Sequence, residues 1–134
     1  MVVDQEGPAH PRSELLQRFT ELKVWQRSHA LVLELYPLTA QLPPDERFGL
    51  ISQLRRAALS VPTNIAEGSK RESRQDYARF LNIAEGSLAE VEYLVMVCRD
   101  LSYLTGQVVE PTLAEIKEIA SMLHNLRTKV EERR

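Results

Sequence analysis

The chain has 134 residues, of which 43% are hydrophobic and 27% are charged, with only five glycines and seven prolines. This composition is typical of one globular domain with a real core and excludes a disordered chain. The formal net charge is −2, so bulk charge does not favour a polyanionic partner, and the single Cys98 excludes an internal disulfide or a CxxC metal or redox motif.

Residues 1–19 are predicted to form a flexible lead-in, because the first twelve hold two prolines, a glycine and no hydrophobic period. The segment Met1-Val-Val-Asp-Gln-Glu6 lacks the basic and apolar parts of a signal peptide. No apolar run approaches the length of a membrane span. We therefore expect a cytoplasmic protein with no membrane partner, folded over residues 20–131.

The first helical pattern covers residues 20–41. Pro37 predicts a kink or an end near Tyr36, because its ring clashes with the Leu33 carbonyl. Leu42-Pro-Pro-Asp45 then breaks the pattern, and Asp45 is a plausible N-cap for the next helix.

The second pattern covers residues 46–67. Pro62 lies inside it and predicts a bend, and Gly68 follows it at the position where glycine ends many helices. The predicted core row contains Ile51, Leu54, Ala58, Val61 and Ile65.

The third pattern covers residues 74–104, and Ser73 with Asp76 resembles a capping box at its start. Heptad spacing predicts two core rows. The first contains Tyr77, Ala84, Val91 and Cys98, and the second contains Phe80, Ser87, Leu94 and Leu101. Leu81, Leu88 and Val95 lie beside these rows. In the fourth pattern, Pro111 is predicted to lie in the first turn of the helix. The predicted buried seam of this helix consists of Ile116, Ile119, Leu123, Leu126 and Val130. The fold class is all-α, an antiparallel up-down four-helix bundle with a kinked second helix.

A six-residue segment occurs twice, as Asn64-Ile-Ala-Glu-Gly-Ser69 and as residues 82–87. The flanking residues differ, so the repeat is not a duplicated domain. Glycine within a helix costs about 1 kcal/mol relative to alanine. We therefore expect a packing reason for Gly86, namely a closely approaching helix.

Several large apolar residues lie outside the predicted core rows: Trp25, Tyr36, Ile83, Tyr93, Met96 and Val97. One interpretation is that the stripes are broad and that a few large apolar residues are simply exposed. The other, which we favour, is that a homo-oligomer buries a second face.

Motifs for catalysis are missing from the sequence. There is no phosphate-binding glycine loop and no HExxH, and neither His29 nor His124 follows a glutamate by three residues, as in helical di-metal sites. Glu85, Glu90 and Glu92 on the third helix and Glu67 on the second could act in acid–base chemistry. Solvated or arginine-paired carboxylates are, however, the more common state on helices. We predict no enzyme activity, no metal and no cofactor.

Basic residues concentrate between residues 47 and 79, which hold seven basic and three acidic side chains. The candidate phosphate-contacting residues are Arg55, Arg56, Lys70, Arg71, Arg74 and Arg79. Three of them surround the turn before the third helix, whose N-terminus also favours anions. Two alternatives remain open: a solvated hairpin tip, and pairing of Arg55 or Arg56 with Glu67 or Glu90.

Three segments carry a resemblance to a known family: Leu22-Lys-Val-Trp-Gln-Arg27, Gly49 to Gly68, and Arg79 to Glu92. They resemble the bacterial four-helix bundle proteins of the 23S rRNA intervening-sequence family, to which the accessory variability protein of diversity-generating retroelements is related. The family pattern is filled by Gln53, Arg55, Arg56, Pro62, Asn64, Glu67, Gly68, Arg71, Gly86, Ser87 and Glu90. A departure occurs at Glu85, where the family more often has Arg or Lys.

The resemblance implies a homopentamer without known catalytic activity, nucleic-acid binding through a basic surface, and a reverse transcriptase as partner where one is encoded nearby. Together with the residues themselves, it predicts a non-enzymatic homo-oligomeric bundle that contacts RNA or DNA phosphates. The alternative is a structural or protein-partner scaffold that binds no nucleic acid.

Overall fold

A computed structural model describes residues 18–132. Over this range the chain forms four long α-helices and no strand: α1 (Lys23–Thr39), α2 (Ser52–Ser69), α3 (Arg74–Asp100) and α4 (Gly106–Glu132). The all-α prediction is therefore confirmed. Most of the predicted lead-in lies outside the described residues, and a 3-10 turn at Phe19–Glu21 precedes α1.

Helix α1 is shorter than predicted at both ends, but it continues through Pro37 to Thr39. The proline lies in the last turn, where the helix loses few hydrogen bonds before it ends. The helix therefore does not end near Tyr36, and a kink at Pro37 stays a prediction. The buried face of α1 consists of Val24, Ser28, Leu31, Val32, Leu35 and Thr39.

The connection to α2 differs from the sequence expectation. Asp45 is not the N-cap; instead Glu46 accepts a hydrogen bond from the backbone N–H of Leu50, at 3.2 Å. A π-type turn at Arg47–Ile51 follows, and Gly49 departs from helical geometry there with φ −111° and ψ −108°. Because of this irregular turn, α2 begins at Ser52, six residues after the predicted start.

Helix α2 passes through Pro62, which is buried, and ends at Ser69. A bend at Pro62 stays a prediction. Gly68 does not terminate the helix as expected, because it lies inside the last turn and Lys70 is the C-cap. A Cβ at Gly68 would lie 2.7 Å from Phe80 Cβ and 3.1 Å from Tyr77 Cδ1, so α3 approaches α2 closely at this glycine.

The second copy of the six-residue repeat behaves in the opposite way. Gly86 is exposed, and a Cβ built on it would meet no atom within 4 Å beyond its chain neighbours and the backbone of its own helix. The expectation that Gly86 admits a close helix within the chain was therefore wrong. Gly68, whose role we expected to be helix termination, is the residue that admits one.

Helix α3 begins as predicted, since the Ser73 hydroxyl accepts a hydrogen bond from the N–H of Asp76 at 3.0 Å. It ends at Asp100, followed by Ser102 with a positive φ of 64°. One predicted core row was partly wrong, because Leu101 is 52% exposed and Phe80 and Ser87 are half-buried. The row that we placed beside the core is instead fully buried: Leu81, Leu88 and Val95.

Helix α4 begins at Gly106, so Pro111 is its sixth residue and not part of its first turn. Thr105 helps to start the helix, because its hydroxyl accepts a hydrogen bond from the Val108 N–H at 3.3 Å. Most of the predicted seam is buried, although Leu126 is half-buried; the buried residues are Val109, Thr112, Ile116, Ile119, Leu123 and Val130.

The helices contact one another in chain order, and α4 also contacts α1, as in an up-down bundle. Both outer connections meet at one end, where the Tyr103 hydroxyl donates to Glu46 at 3.0 Å. Arg27 of α1 pairs with Glu115 of α4 at 2.7 Å, and this hydrogen bond lowers the pKa of Glu115 below its usual range. The stabilisation from this pair is present above that range and is lost as pH falls through the lowered pKa.

Four of the six apolar residues outside the predicted core rows are half-buried within the chain: Trp25, Tyr36, Met96 and Val97. Trp25 is half-buried and stacks on His29, and Tyr36 is half-buried against α2. The large apolar residues that remain exposed are Leu33, Phe48, Leu59, Ile83, Tyr93, Leu101 and Val108. None of the described helices is long and apolar enough to cross a membrane.

Candidate nucleic-acid interface

The six candidate cations do not form one surface. Arg55 points to α1, Arg56 lies exposed on α2, and the other four surround the turn between α2 and α3. We call these four residues, Lys70, Arg71, Arg74 and Arg79, the tip patch.

Arg55 is committed to contacts inside the bundle. Its Nε donates to Thr39 Oγ1 at 2.8 Å, and its Nη2 donates to the Tyr36 carbonyl at 3.0 Å. The guanidinium carbon also lies 4.4 Å from the centroid of the Tyr36 ring. The Tyr36 carbonyl also accepts hydrogen bonds from the Ala40 N–H and the Thr39 hydroxyl, so Arg55 adds a charged donor at the end of α1 and opposes the negative end of the helix dipole. Arg55 is therefore an internal tie between α1 and α2 and not part of a phosphate-binding surface.

Arg56 is exposed, and its hydrogen bond within the described chain is a long one to Ser52 Oγ, at 3.4 Å. One of the open alternatives was that Arg55 or Arg56 pairs with Glu67 or Glu90. No such ion pair occurs within residues 18–132, and that alternative was wrong for a single copy of the chain.

Phe80 organises the tip patch. The guanidinium carbon of Arg71 lies 5.0 Å from the centroid of its ring, and that of Arg79 lies 4.6 Å away. Arg71 also donates from Nε to the Glu67 carbonyl at 3.1 Å, at the end of α2. Cation–π contact holds both guanidinium groups beside the surface and leaves most of their N–H donors free to bind a ligand.

Carboxylates neutralise part of the tip patch. Arg79 pairs with Asp76 at 2.9 Å, and Glu67 and Glu72 lie exposed nearby in the sequence. Four cations against three carboxylates leave a local charge of +1. Within residues 18–132, the other three members of the patch have no carboxylate within ion-pair distance: Lys70, Arg71 and Arg74.

The N-terminus of α3 lies beside these cations. Arg74 is its first residue, and the Nε of Arg74 is buried without a hydrogen-bond partner in the described chain. Ser73, Gln75, Asp76 and Arg79 line an open cleft at this helix end. Arg79 is the arginine in this lining, and Asp76, its ion-pair partner, lines the cleft as well. The positive end of a long helix dipole at the same place favours an anion.

Apart from the three arginines already described, the family-pattern residues fall into two groups. Pro62 and Gly68 are buried, and Asn64 and Ser87 join a polar cluster between α2 and α3. In this cluster the hydroxyls of Ser60 and Ser87 are 2.7 Å apart, and Asn64 Nδ2 donates to Ser60 Oγ at 2.9 Å. The second group is exposed: Gln53, Glu67, Gly86 and Glu90.

Glu85, the departure from the family pattern, has partners on α4. Its carboxylate accepts a hydrogen bond from Arg127 Nε and lies 3.7 Å from His124 Nδ1. The hydrogen bond from Arg127 to Glu85 raises the pKa of Arg127. A negative charge at position 85 is therefore explained by a cation on the neighbouring helix. This pairing also removes Arg127 from any basic surface.

We predict that Glu85→Arg lowers the free energy of unfolding by about 1 kcal/mol, because two guanidinium groups would then meet at a half-buried position. Adding Arg127→Glu restores the pair in reversed polarity. The double variant should recover most of the loss in urea or thermal unfolding. Equal stability of the single and double variants would contradict this assignment.

Other site chemistry is sparse in the part of the chain that the structure describes. No group of three His, Cys, Asp or Glu side chains there is arranged to hold a metal ion. Cys98 is buried in the core, and burial raises the pKa of its thiol.

The sequence did not identify Phe80 or Arg127 as site residues. The heptad pattern placed Phe80 in a core row, although an aromatic residue directly after Arg79 is a signal for a cation–π contact. Nothing in the sequence relates Arg127 to Glu85, which lies 42 residues earlier on another helix. Tertiary packing alone brings these two side chains together.

Known proteins share this fold and sequence pattern. A protein of unknown function from the S23 ribosomal protein family of Bacteroides thetaiotaomicron VPI-5482 has a solved structure that matches with a TM-score of 0.69 and 25% sequence identity. The match covers 78% of this chain and 97% of that one. No curated protein matches the chain. The family model described as 23S rRNA-intervening sequence protein matches residues 20–125. Since this match covers most of the chain, the protein belongs to the 23S rRNA-intervening sequence protein family.

Proposed function

We propose that this protein is a non-enzymatic, homo-oligomeric four-helix bundle that contacts the phosphates of RNA or DNA through the tip patch. The observation that carries the proposal is the set of three cations without carboxylate partners in the described chain, Lys70, Arg71 and Arg74, beside the N-terminus of α3. Arg55 and Arg56 are not part of this surface.

The chemistry of the patch suits phosphate groups and not bases. Guanidinium groups donate in a fork that matches phosphate oxygens. Phe80 packs on Gly68 and beside two arginines, so its ring is not an open platform for base stacking. Binding of this kind reads the charge of the backbone, has little sequence preference and weakens steeply with salt.

Self-association strengthens the proposal, because a single tip patch carries a charge of only about +1. Several copies in one assembly would bring several patches to one nucleic acid, and the joint affinity then exceeds that of each patch. The family description names an rRNA intervening sequence, which makes RNA the first ligand to test. A reverse transcriptase stays a possible partner where one is encoded beside the gene.

Neutralising part of the tip patch tests the proposal. We predict that Lys70→Gln with Arg71→Gln weakens binding to a labelled RNA or DNA duplex at least 10-fold at low salt. The slope of log K against log salt should also fall by about 0.9 for each lost phosphate contact. Fluorescence anisotropy over about 50–300 mM salt measures both quantities.

The matched control is Arg47→Gln with Lys117→Gln, which removes one lysine and one arginine at exposed positions away from the tip. It changes the net charge by the same amount and should change affinity less than 3-fold. Equal losses in the two variants would show that the tip patch is not a site. Wild-type binding no tighter than that of an acidic control protein would exclude nucleic-acid binding altogether.

One observation favours the alternative, a scaffold without nucleic-acid binding. Several arginines are engaged inside the bundle: Arg27 with Glu115, Arg55 with the end of α1, and Arg127 with Glu85. In the scaffold these arginines fix the helices in place, and the tip patch is merely solvated. The scaffold predicts no salt-sensitive binding of RNA or DNA by the wild type, whereas replacement of Arg55 reduces stability under either proposal.

A further inference from the structure

Two exposed leucines form an apolar ridge on α1 and α2. Leu33 is 61% exposed and Leu59 is 44% exposed. Arg55 of α2 contacts Tyr36 of α1; Leu59 lies one turn after Arg55, and Leu33 lies one turn before Tyr36. Because the two helices are antiparallel, both leucines are one turn farther from the α1–α2 connection. They therefore lie at the same level of the bundle, and we call them the ridge.

A second apolar face lies on α3. Ile83, Gly86, Glu90 and Tyr93 follow one another at spacings of three and four residues, so they form one line along the helix. Ile83 is 42% exposed and Tyr93 is 63% exposed. Gly86 lies between them, and the space over it is empty of this chain's atoms for 4 Å. The line therefore has a low point at Gly86, between two large apolar side chains, and we call these four residues the notch.

The two faces carry opposite charges. Arg56 lies three residues before Leu59, beside the ridge, and Glu90 lies within the notch. Over residues 18–132 neither side chain has an ion-pair partner within 4 Å. A ridge with a cation and a notch with an anion are complementary in both shape and charge.

We propose that the ridge of one copy packs into the notch of a second copy, with Arg56 of one copy facing Glu90 of the other. The ridge lies on α1 and α2 and the notch on α3, so different surfaces of the two copies meet. Such a heterologous contact leaves a free ridge and a free notch at the two ends of a dimer, and assembly continues until a ring closes. This inference rests on the homo-oligomerisation in the proposed function and identifies its contact surfaces.

A mixing experiment tests this arrangement. The ridge variant carries Leu33→Asp and Leu59→Asp, and the notch variant carries Ile83→Asp and Tyr93→Asp. The control carries Leu101→Asp and Val108→Asp, which add the same charge at exposed apolar positions outside both faces. Sedimentation velocity measures assembly, and circular dichroism checks that each variant is helical. If an aspartate variant is unfolded, Leu33→Ser and Tyr93→Ser replace it.

We expect the wild type and the control to be oligomers of one size and the ridge and notch variants to be monomers. A mixture of the two variants retains one intact ridge and one intact notch, so it should form a one-to-one dimer and nothing larger. Assembly of either variant alone, or a mixture that stays monomeric at high concentration, would overturn this inference and leave homo-oligomerisation standing. A monomeric wild type would instead overturn homo-oligomerisation itself.

Discussion

Replacing Gly68 by alanine is expected to lower the free energy of unfolding by about 1–3 kcal/mol, although alanine is the better helix former. The new Cβ would lie 2.7 Å from Phe80 Cβ, a distance that such atoms do not tolerate. Phe80 Cβ is attached directly to the backbone of α3, so rotation of the side chain cannot relieve the contact. The two helices must separate, and the core between them loosens.

The same substitution at Gly86 is the matched control, because both glycines occupy the same position of the six-residue repeat. A Cβ at Gly86 meets no atom of the chain within 4 Å, so Gly86→Ala should gain up to about 1 kcal/mol from helix propensity. Urea unfolding at low protein concentration measures both changes and keeps self-association small. Equal effects at the two positions would contradict the close approach of α3 to Gly68.

The second large effect is expected at Arg55. Arg55→Met should lower the free energy of unfolding by about 2 kcal/mol, because a half-buried carbonyl and a hydroxyl lose a charged donor. The Tyr36 carbonyl and Thr39 Oγ1 are the acceptors, and methionine keeps much of the contact with the Tyr36 ring. Thermal unfolding followed by circular dichroism measures the loss.

Arg56→Met is the control for this prediction, since Arg56 is the neighbouring residue, has the same charge and lies exposed. At low protein concentration, where contact of Arg56 with a second copy is small, we expect its effect on stability to stay within about 0.5 kcal/mol. Anisotropy measurements on both variants should show unchanged nucleic-acid affinity if the tip patch is the binding surface. A larger loss of stability at Arg56 than at Arg55 would mean that the internal tie is misassigned.

Sequence reasoning was most successful for the helices. Hydrophobic periodicity indicated four of them, and Ser73 marked the start of α3, because a capping hydroxyl acts on a backbone N–H only three residues away. Sequence reasoning was less successful at the ends of the other helices. Glu46, and not Asp45, caps the turn before α2, and this carboxylate also accepts the hydroxyl of Tyr103, which lies 57 residues further along the chain.

Sequence patterns also failed to distinguish the different roles of residues of the same type. The sequence grouped Arg55 with Arg56 and Arg71 as surface cations, since all three lie in one basic segment. In the bundle Arg55 turns to α1, Arg56 faces outward and Arg71 lies beside Phe80. A rotation of 100° per residue sends adjacent side chains to different neighbours, and the identity of those neighbours depends on how the helices pack.

The sequence by itself determined the fold class, the order of four helices and the family, because these depend on periodicity and on local motifs. Only the tertiary structure decided what the two repeated glycines do. Gly68 and Gly86 sit in identical six-residue segments, yet one lies against Phe80 and the other faces open space. Local sequence is the same at both positions, so the difference comes from which side of each helix meets the bundle, and long-range packing alone sets that.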